Sequence, residues 1–152
     1  MQEERVVVTN RQAFRDYHIE KTYEAGLKLI GSEVKSLRAG KANLKGSFAR
    51  IEAGELFLYN LHISPYKFSR DEYDPLRPRK LLLHKMQIRQ IETNLSQKGF
   101  TLVPLKIYFK RGYAKVEVGI ARGKKLFDKR MALKEKQVKK ETERELHRKR
   151  KR

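Results

Sequence analysis

The sequence predicts a mainly β fold with a few short helices, in which the strands form a small closed or nearly closed barrel. Three observations lead to this prediction. Several short segments alternate apolar and polar residues, turns containing glycine separate some of them, and only two segments before residue 122 have helical signals. The length of 152 residues fits one domain with an appendage. A sandwich and a ferredoxin-like arrangement are compatible with the same periodicity.

The first predicted elements are two pieces of strand and a short helix. Residues 17–19 and 26–30 are typical of strands. The helix is expected over Ser32–Gly40, where the Ser32 side chain caps the first amides and Gly40 ends the helix.

A hairpin and a longer helix are predicted in the middle of the chain. Residues 48–51 and 56–61 are expected to pair around an Ala53-Gly54 turn. The helix follows Pro78 and ends at Lys98-Gly99. Four apolar residues fall on one face of it: Leu81, Ile88, Ile91 and Leu95.

The last two strands of the body have the clearest alternation. Residues 103–109 and 114–120 each place an apolar side chain at every second position. Arg111-Gly112 lies between them, so the two strands are expected to form a hairpin.

Positive charge is concentrated towards the C-terminus. The chain has 37 Lys and Arg against 18 Asp and Glu, a net charge of +19. Residues 122–152 hold 15 basic and 5 acidic residues, which is +10 of that excess. We therefore divide the chain into a body, residues 1–121, and a basic arm, residues 122–152. Because apolar residues are sparse in the arm, we expect it to be disordered alone and helical when bound to RNA.

The charge favours a polyanionic partner. Nucleic acid fits better than a membrane surface, because the arm lacks the broad apolar face of a membrane-binding helix. The start of the chain is typical of a cytosolic terminus, and the absence of cysteine fits a reducing compartment. We expect a cytoplasmic protein.

The sequence offers no catalytic or metal site. The Gly-Lys steps at 40–41 and 123–124 lack the spacing of a phosphate-binding loop. The four histidines are far apart and in different predicted elements. We expect no metal, no cofactor and no enzymatic activity.

Two basic segments of the body are candidates for phosphate contact. The proline-stiffened segment 64–80 either reaches phosphates or packs over the body as a long loop. The basic residues expected to reach phosphates are Arg70, Arg77, Arg79 and Lys80. The second cluster is Lys35, Arg38, Lys41 and Lys45. Rings that can stack on bases are Tyr17, Tyr23, Phe48, Tyr108 and Tyr113, although most are expected in the core.

Five blocks of the sequence form a recognisable set: Asn10–Ala13, Tyr23–Gly26, Gly31–Lys41, Arg79–Leu83 and Ala121–Lys125. Together they resemble the family of transfer-messenger RNA (tmRNA)-binding proteins called small protein B. The resemblance extends from Val6 to Arg130, and its most specific parts are Glu33–Lys41 and Arg122–Arg130.

The resemblance implies a barrel of the oligonucleotide-binding (OB) type with flanking short helices, and a role in trans-translation, the rescue of stalled bacterial ribosomes. It implies that the body binds the tRNA-like domain of tmRNA. The tail is expected to enter the decoding centre and the messenger channel, where it contacts the rRNA of the small subunit and becomes helical. Elongation factor Tu is an expected partner through alanyl-tmRNA, and the protein is expected to be a monomer.

The resemblance, the basic cluster and the arm together give two sets of site residues. The tmRNA-binding set is Asn10, Arg11, Tyr17, Glu24, Lys35, Arg38, Lys41, Lys124 and Lys125. The ribosome and decoding-centre set is Phe48, Gly123, Phe127, Asp128, Lys129, Arg130, Lys134, Lys136, Lys139 and Lys140. Glu24 is expected either to support neighbouring basic residues or to accept hydrogen bonds from base amino groups.

Three positions depart from the family pattern. Gly46 stands where an acidic residue is common, Phe127 where Tyr or His is common, and Arg15 where His is frequent. Phe127 keeps a ring but has no polar tip for a hydrogen bond. Two other functions compete with the adaptor role: a structural ribosomal protein and, more weakly, a nucleic-acid-modifying enzyme.

Overall fold

The computed structural model describes residues 4–68 and 72–124, together with residues 137, 140 and 142–144. The chain divides into two units, Met1–Arg122 and Gly123–Arg152. In the second unit, the described residues from 137 onwards have α-helical backbone. That the arm is disordered alone and helical on the ribosome stays a prediction.

The first unit consists mostly of strands. In chain order they are β1 (Arg5–Thr9), β2 (Tyr17–Leu27), β3 (Ala42–Asn43), β4 (Phe48–Glu52), β5 (Glu55–Tyr59), β6 (His62–Ile63), β7 (Arg79–Leu82), β8 (Phe100–Lys110) and β9 (Tyr113–Gly123). The helices are α1 (Arg11–Asp16), α2 (Gly31–Arg38) and α3 (Lys85–Leu95).

Seven strands form one sheet in the order β1-β8-β9-β2-β7-β5-β4, and β3 pairs with β6 separately. The ladders β1–β8, β8–β9, β2–β7, β5–β7 and β4–β5 are antiparallel. The predicted mainly β class with short helices is confirmed. In the hydrogen-bonded order β1 and β4 are the end strands, so closure of the sheet into an OB-type barrel stays a prediction.

Both predicted hairpins are confirmed. Ala53 and Gly54 have φ of 50° and 76°, and Arg111 and Gly112 have φ of 55° and 79°. Two consecutive residues with positive φ are typical of the tight turn whose twist matches that of paired strands.

Strand β8 separates two apolar clusters. Leu102, Ile107 and Phe109 belong to the main core, which also contains residues of α2 and α3. Val103 and Leu105 pack instead with Ala13 of α1 and with β9. Because β8 buries side chains on both faces, α1 is fixed against the sheet by its own small core.

Three predictions about individual elements were wrong. Leu81 lies in β7 and not in a helix, because residues 79–82 pair with β5 on one side and with β2 on the other. Strand β2 is continuous over residues 17–27, and residues 28–30 lie outside it. Ser32 does not cap α2: Ile30 occupies the cap position, and the Glu33 carboxylate accepts the hydrogen bond of the Ile30 amide at 3.1 Å.

Candidate RNA-binding site

Helix α2 and the turn after it present the predicted basic cluster to solvent. Lys35, Arg38 and Lys41 are all exposed. The Lys35 ammonium lies 5.5 Å from the centroid of the Tyr66 ring, and the Arg38 guanidinium lies 5.6 Å from that of Phe109. Cation–π contacts of this kind restrain the long side chains while leaving their charge available to a phosphate.

The opposite face of α2 is anchored by a buried ionic cluster, which comprises Glu33, Arg77 and Arg79. The Glu33 carboxylate accepts hydrogen bonds from Arg77 (Nε, 3.1 Å) and Arg79 (Nε, 2.7 Å), and the Arg79 and Glu33 side chains are fully buried. Arg79 also donates to the carbonyls of Leu61 and Pro75. The cluster therefore ties α2 to the segment that precedes β7.

Glu33 keeps its charge despite its burial. Burial alone raises the pKa of this carboxyl, but the hydrogen bonds from Arg77, the Ile30 amide and Arg79 outweigh it and hold the pKa below its ordinary value. Burial lowers the pKa of Arg79, since it also disfavours the charged form of that side chain, and the hydrogen bond and charge of Glu33 act in the opposite direction. The two charges are maintained by each other.

This cluster limits the phosphate-contact hypothesis for segment 64–80. Arg79 is fully buried and cannot reach a phosphate, so for Arg79 the hypothesis was wrong and the packing alternative holds. Arg77 is committed to Glu33, and Lys80 pairs with Glu55 at 2.8 Å. Arg70 lies outside the described residues.

Glu24 on β2 is held by residues of β8. Its carboxylate accepts hydrogen bonds from the Tyr108 hydroxyl and from the Lys110 ammonium, the latter at 3.3 Å. The hydrogen bond from Tyr108 is the main reason that the pKa of Glu24 is lowered. Burial and the same hydrogen bond raise the pKa of Tyr108. The contacts agree with the first of the two roles expected for Glu24, support of a neighbouring basic residue.

The side chain and the backbone amide of Asn10 make hydrogen bonds within the fold. Its Oδ1 accepts from the Ala13 amide at 3.3 Å, which caps α1, and its Nδ2 donates to the Pro104 carbonyl at 2.8 Å. Its own amide donates to the Leu105 carbonyl at 2.7 Å. Asn10 therefore fixes α1 to β8 and leaves one Nδ2 hydrogen for any other partner.

Tyr17 and Phe48, which the family resemblance assigns to different RNAs, line one cleft of about 290 Å³. The cleft lies between α1, the start of β2, the residues before β4, and the first half of β8. Tyr17 is half-buried against the small core under α1, and Phe48 is 36% exposed. Gln12 and Asp16 supply polar side chains to the same cleft.

Phe48 is also part of an exposed aromatic stack. Its ring lies opposite Tyr59 on the neighbouring strand, with centroids 5.3 Å apart and an interplanar angle of 14°. The Arg50 guanidinium is 5.5 Å from both ring centroids. The Tyr59 hydroxyl donates to Glu52 at 2.5 Å, a bond that raises the pKa of Tyr59. These contacts hold the Phe48 ring in one orientation.

The remaining site residues are placed only in part. Arg11 is exposed at the start of α1, Gly123 ends β9, and Lys124 follows it. Lys140 is exposed on helical backbone. The site predictions that lie outside the described residues are Lys125, Phe127, Asp128, Lys129, Arg130, Lys134, Lys136 and Lys139.

The described residues offer neither a metal-ion site nor a membrane-spanning helix. They contain no group of three or more His, Cys, Asp or Glu placed to hold a metal ion. None of their helices combines the length and apolar character that crossing a bilayer requires.

Sequence reasoning missed the contacts that make these residues a site. An Asn ahead of a short run free of Gly and Pro is a cap signal that could have revealed α1. The buried carboxylate of Glu33 and the Glu24–Tyr108 bond carried no local signal, because their partners lie 46 and 84 residues away.

Comparisons with known proteins agree on one family. The family model described as SmpB protein matches residues 7–148. The SsrA-binding protein of Caldanaerobacter subterraneus subsp. tengcongensis is 54% identical over 145 residues, covering 95% of this chain and 92% of that protein. That of Caldicellulosiruptor saccharolyticus is 60% identical over 130 residues, covering 85% and 82%. A solved structure of tmRNA-SmpB, described as a journey to the center of the bacterial ribosome, is 61% identical with a TM-score of 0.66, covering 78% of this chain and 85% of that one.

Proposed function

The chain belongs to the SmpB protein family, and from that premise we propose that it is an RNA-binding adaptor of trans-translation, which binds tmRNA and brings it to stalled ribosomes. The observation that carries the proposal is the family match over residues 7–148. SsrA-binding proteins at 54–60% identity and the tmRNA-SmpB structure support it.

The surface of the body suits such a partner. The exposed cations of α2 are restrained by aromatic rings and can neutralise phosphates without a large loss of side-chain entropy. The cations near Glu24 and the exposed rings near Phe48 add contacts for charge and for bases. The body therefore offers separate surfaces for backbone and base contacts.

The proposal extends to finer points. The body binds the tRNA-like domain of tmRNA, and the basic arm enters the decoding centre and the messenger channel of the small subunit. The protein acts as a monomer in the cytoplasm and meets elongation factor Tu through alanyl-tmRNA. It performs no catalysis of its own, because binding and positioning suffice for an adaptor.

Binding specificity tests the proposal against a structural ribosomal protein. We expect gel-shift titrations to give tight binding of tmRNA and weak binding of rRNA fragments of equal length. The protein is also expected to dissociate from idle ribosomes during a high-salt wash. Equal affinity for both RNAs, with stoichiometric retention on salt-washed ribosomes, would identify a structural ribosomal protein instead.

A further inference from the structure

The cleft between Tyr17 and Phe48 has the composition of a site for a base and not for a phosphate. Its lining includes two aromatic rings, the side chains of Gln12 and Asp16, and no Lys or Arg. A carboxylate repels a phosphate but accepts hydrogen bonds from base amino and imino groups, and Gln12 can both donate and accept. Rings beside polar edges are the combination that holds an unstacked base.

Both rings are fixed before any ligand arrives. Tyr17 packs on the core under α1, and that helix is tied to β8 by Asn10. Phe48 is stacked on Tyr59 beneath Arg50. Little conformational entropy would therefore be lost when a base stacks here.

Cations lie close in sequence to the lining residues. Arg15 precedes Asp16, and Lys45 precedes Gly46, which also lines the cleft. Both basic side chains are exposed. Exposed positive charge in the segments that form the cleft wall favours a polyanionic ligand such as RNA.

We propose that this cleft binds one unpaired nucleobase between or against the rings of Tyr17 and Phe48. The inference rests on the proposed function, because the RNA that supplies the base is either tmRNA or the rRNA of the small subunit. It changes the assignment of the two residues: Tyr17 and Phe48 contact the same nucleotide and do not serve two separate RNAs.

A single introduced tryptophan can report on the cleft, since the chain has none. In the full-length protein, F48W places the indole in the cleft. Y113W is the matched control, because Tyr113 pairs with Lys110, about 27 Å along β8 from Leu102 of the cleft. Each variant is titrated separately with tmRNA transcript and with purified small subunits, while gel shift or co-sedimentation measures binding independently.

A base stacked on the indole quenches its fluorescence directly. We expect F48W to be quenched by one of the two RNAs and the quenching to be lost on adding Tyr17→Leu, which removes the second aromatic ring of the cleft but keeps apolar packing. Tyr17→Leu should leave the Y113W signal unchanged. Quenching by tmRNA identifies tmRNA as the source of the base, and quenching by small subunits alone identifies rRNA.

Affinity provides a second measurement. Tyr17→Leu and Phe48→Leu, verified as folded by circular dichroism, are each expected to weaken binding of the RNA that quenches F48W about tenfold. The double variant should bind only slightly more weakly than either single variant, because both rings contact the same base. Normal binding of both RNAs without quenching of F48W would overturn the base site while leaving the adaptor function intact. The same holds if RNA only shields the indole of F48W from the added quencher acrylamide, because shielding shows burial and not stacking. Absence of binding by the wild-type chain would instead overturn the proposed function, and the base site with it.

Discussion

At the residue scale, the Glu33 carboxylate is a charged group in the interior of the protein. It compensates Arg79, which is equally buried, and Arg77 at the edge. A buried pair of this kind adds little net stability compared with apolar residues, but removal of one partner leaves a charge without compensation. Glu33 is thus required because Arg79 is present.

Replacement of Glu33 by Gln should lower the free energy of unfolding by about 3–5 kcal/mol. Urea denaturation measures the change. Glu55→Gln is the matched control, because its pair with Lys80 is solvent-exposed and is expected to contribute less than about 1 kcal/mol. A loss for Glu33→Gln no larger than that of the control would contradict the role assigned to the cluster.

Acid should remove the same contribution. The folded-state pKa of Glu33 lies below its ordinary value of 4.5, so its stabilisation is complete above that value and is lost as the pH falls through the lower folded-state pKa. We expect the wild-type chain to lose stability over that acid range and Glu33→Gln to lose less. Parallel curves of unfolding free energy against pH for the two proteins would contradict the assignment.

Loss of the Glu24 carboxylate should weaken tmRNA binding more than loss of its hydrogen bond to Tyr108. Glu24→Ala releases Lys110 and leaves the Tyr108 hydroxyl without its acceptor, so we expect weaker tmRNA binding and a stability loss of about 1–3 kcal/mol. Tyr108→Phe keeps the carboxylate and Lys110, and its tmRNA affinity should stay near that of the wild type in the same gel shift. Wild-type affinity of Glu24→Ala would exclude Glu24 from the interface.

At the scale of elements, α1 depends on its attachment to β8. A six-residue helix is not stable by itself, so its cap and its packing decide whether it forms. Asn10 supplies both the cap and the tether to Pro104. Since α1 carries part of the cleft wall, we propose that Asn10 affects RNA binding by positioning that wall.

Asn10→Ala and Asn10→Asp separate these two contributions. Alanine removes both contacts and should cost about 1 kcal/mol or more, whereas aspartate keeps the cap acceptor but replaces the Nδ2 donor by an oxygen that faces the Pro104 carbonyl. Hydrogen exchange at the Ala13 amide is expected to be fastest in Asn10→Ala and intermediate in Asn10→Asp. Identical exchange in all three proteins would show that Asn10 does not hold α1.

The elements that the sequence predicted correctly are those with local signals. Both hairpins have their turn residues and alternating strands within a short stretch, so local preferences suffice. Helix α1 is too short for periodicity to reveal, and Leu81 fits a helical spacing by coincidence because its strand is fixed by distant partners. The cleft combines Tyr17 with Phe48, residues 31 positions apart in the sequence, and therefore required the fold.

At the scale of the whole molecule, the body and the arm carry nearly equal shares of the net positive charge. Residues 122–152 carry +10 of a net +19, and the rest of the chain carries the other +9. Basic side chains of the body lie on a folded surface, where the fold sets their positions. Those of the arm are spread along a segment with few apolar residues, which suits contact with a long phosphate track.

Truncation after Arg130 should separate the two functions. The shortened chain is expected to keep most of its tmRNA affinity in gel shift, because the body surfaces are intact, and to lose its function on the ribosome. The slope of log affinity against log salt should change little. A loss of tmRNA affinity in proportion to the charge removed would instead make the arm a general phosphate clamp.

The most direct test of the adaptor function is tagging in a purified translation system. Ribosomes stalled on a message without a stop codon are supplied with alanyl-tmRNA, elongation factor Tu and this protein, and tagged nascent chains are counted. We predict tagging with the full chain, and none when the protein is omitted or truncated after Arg130. Equal tagging with and without the protein would contradict the adaptor function.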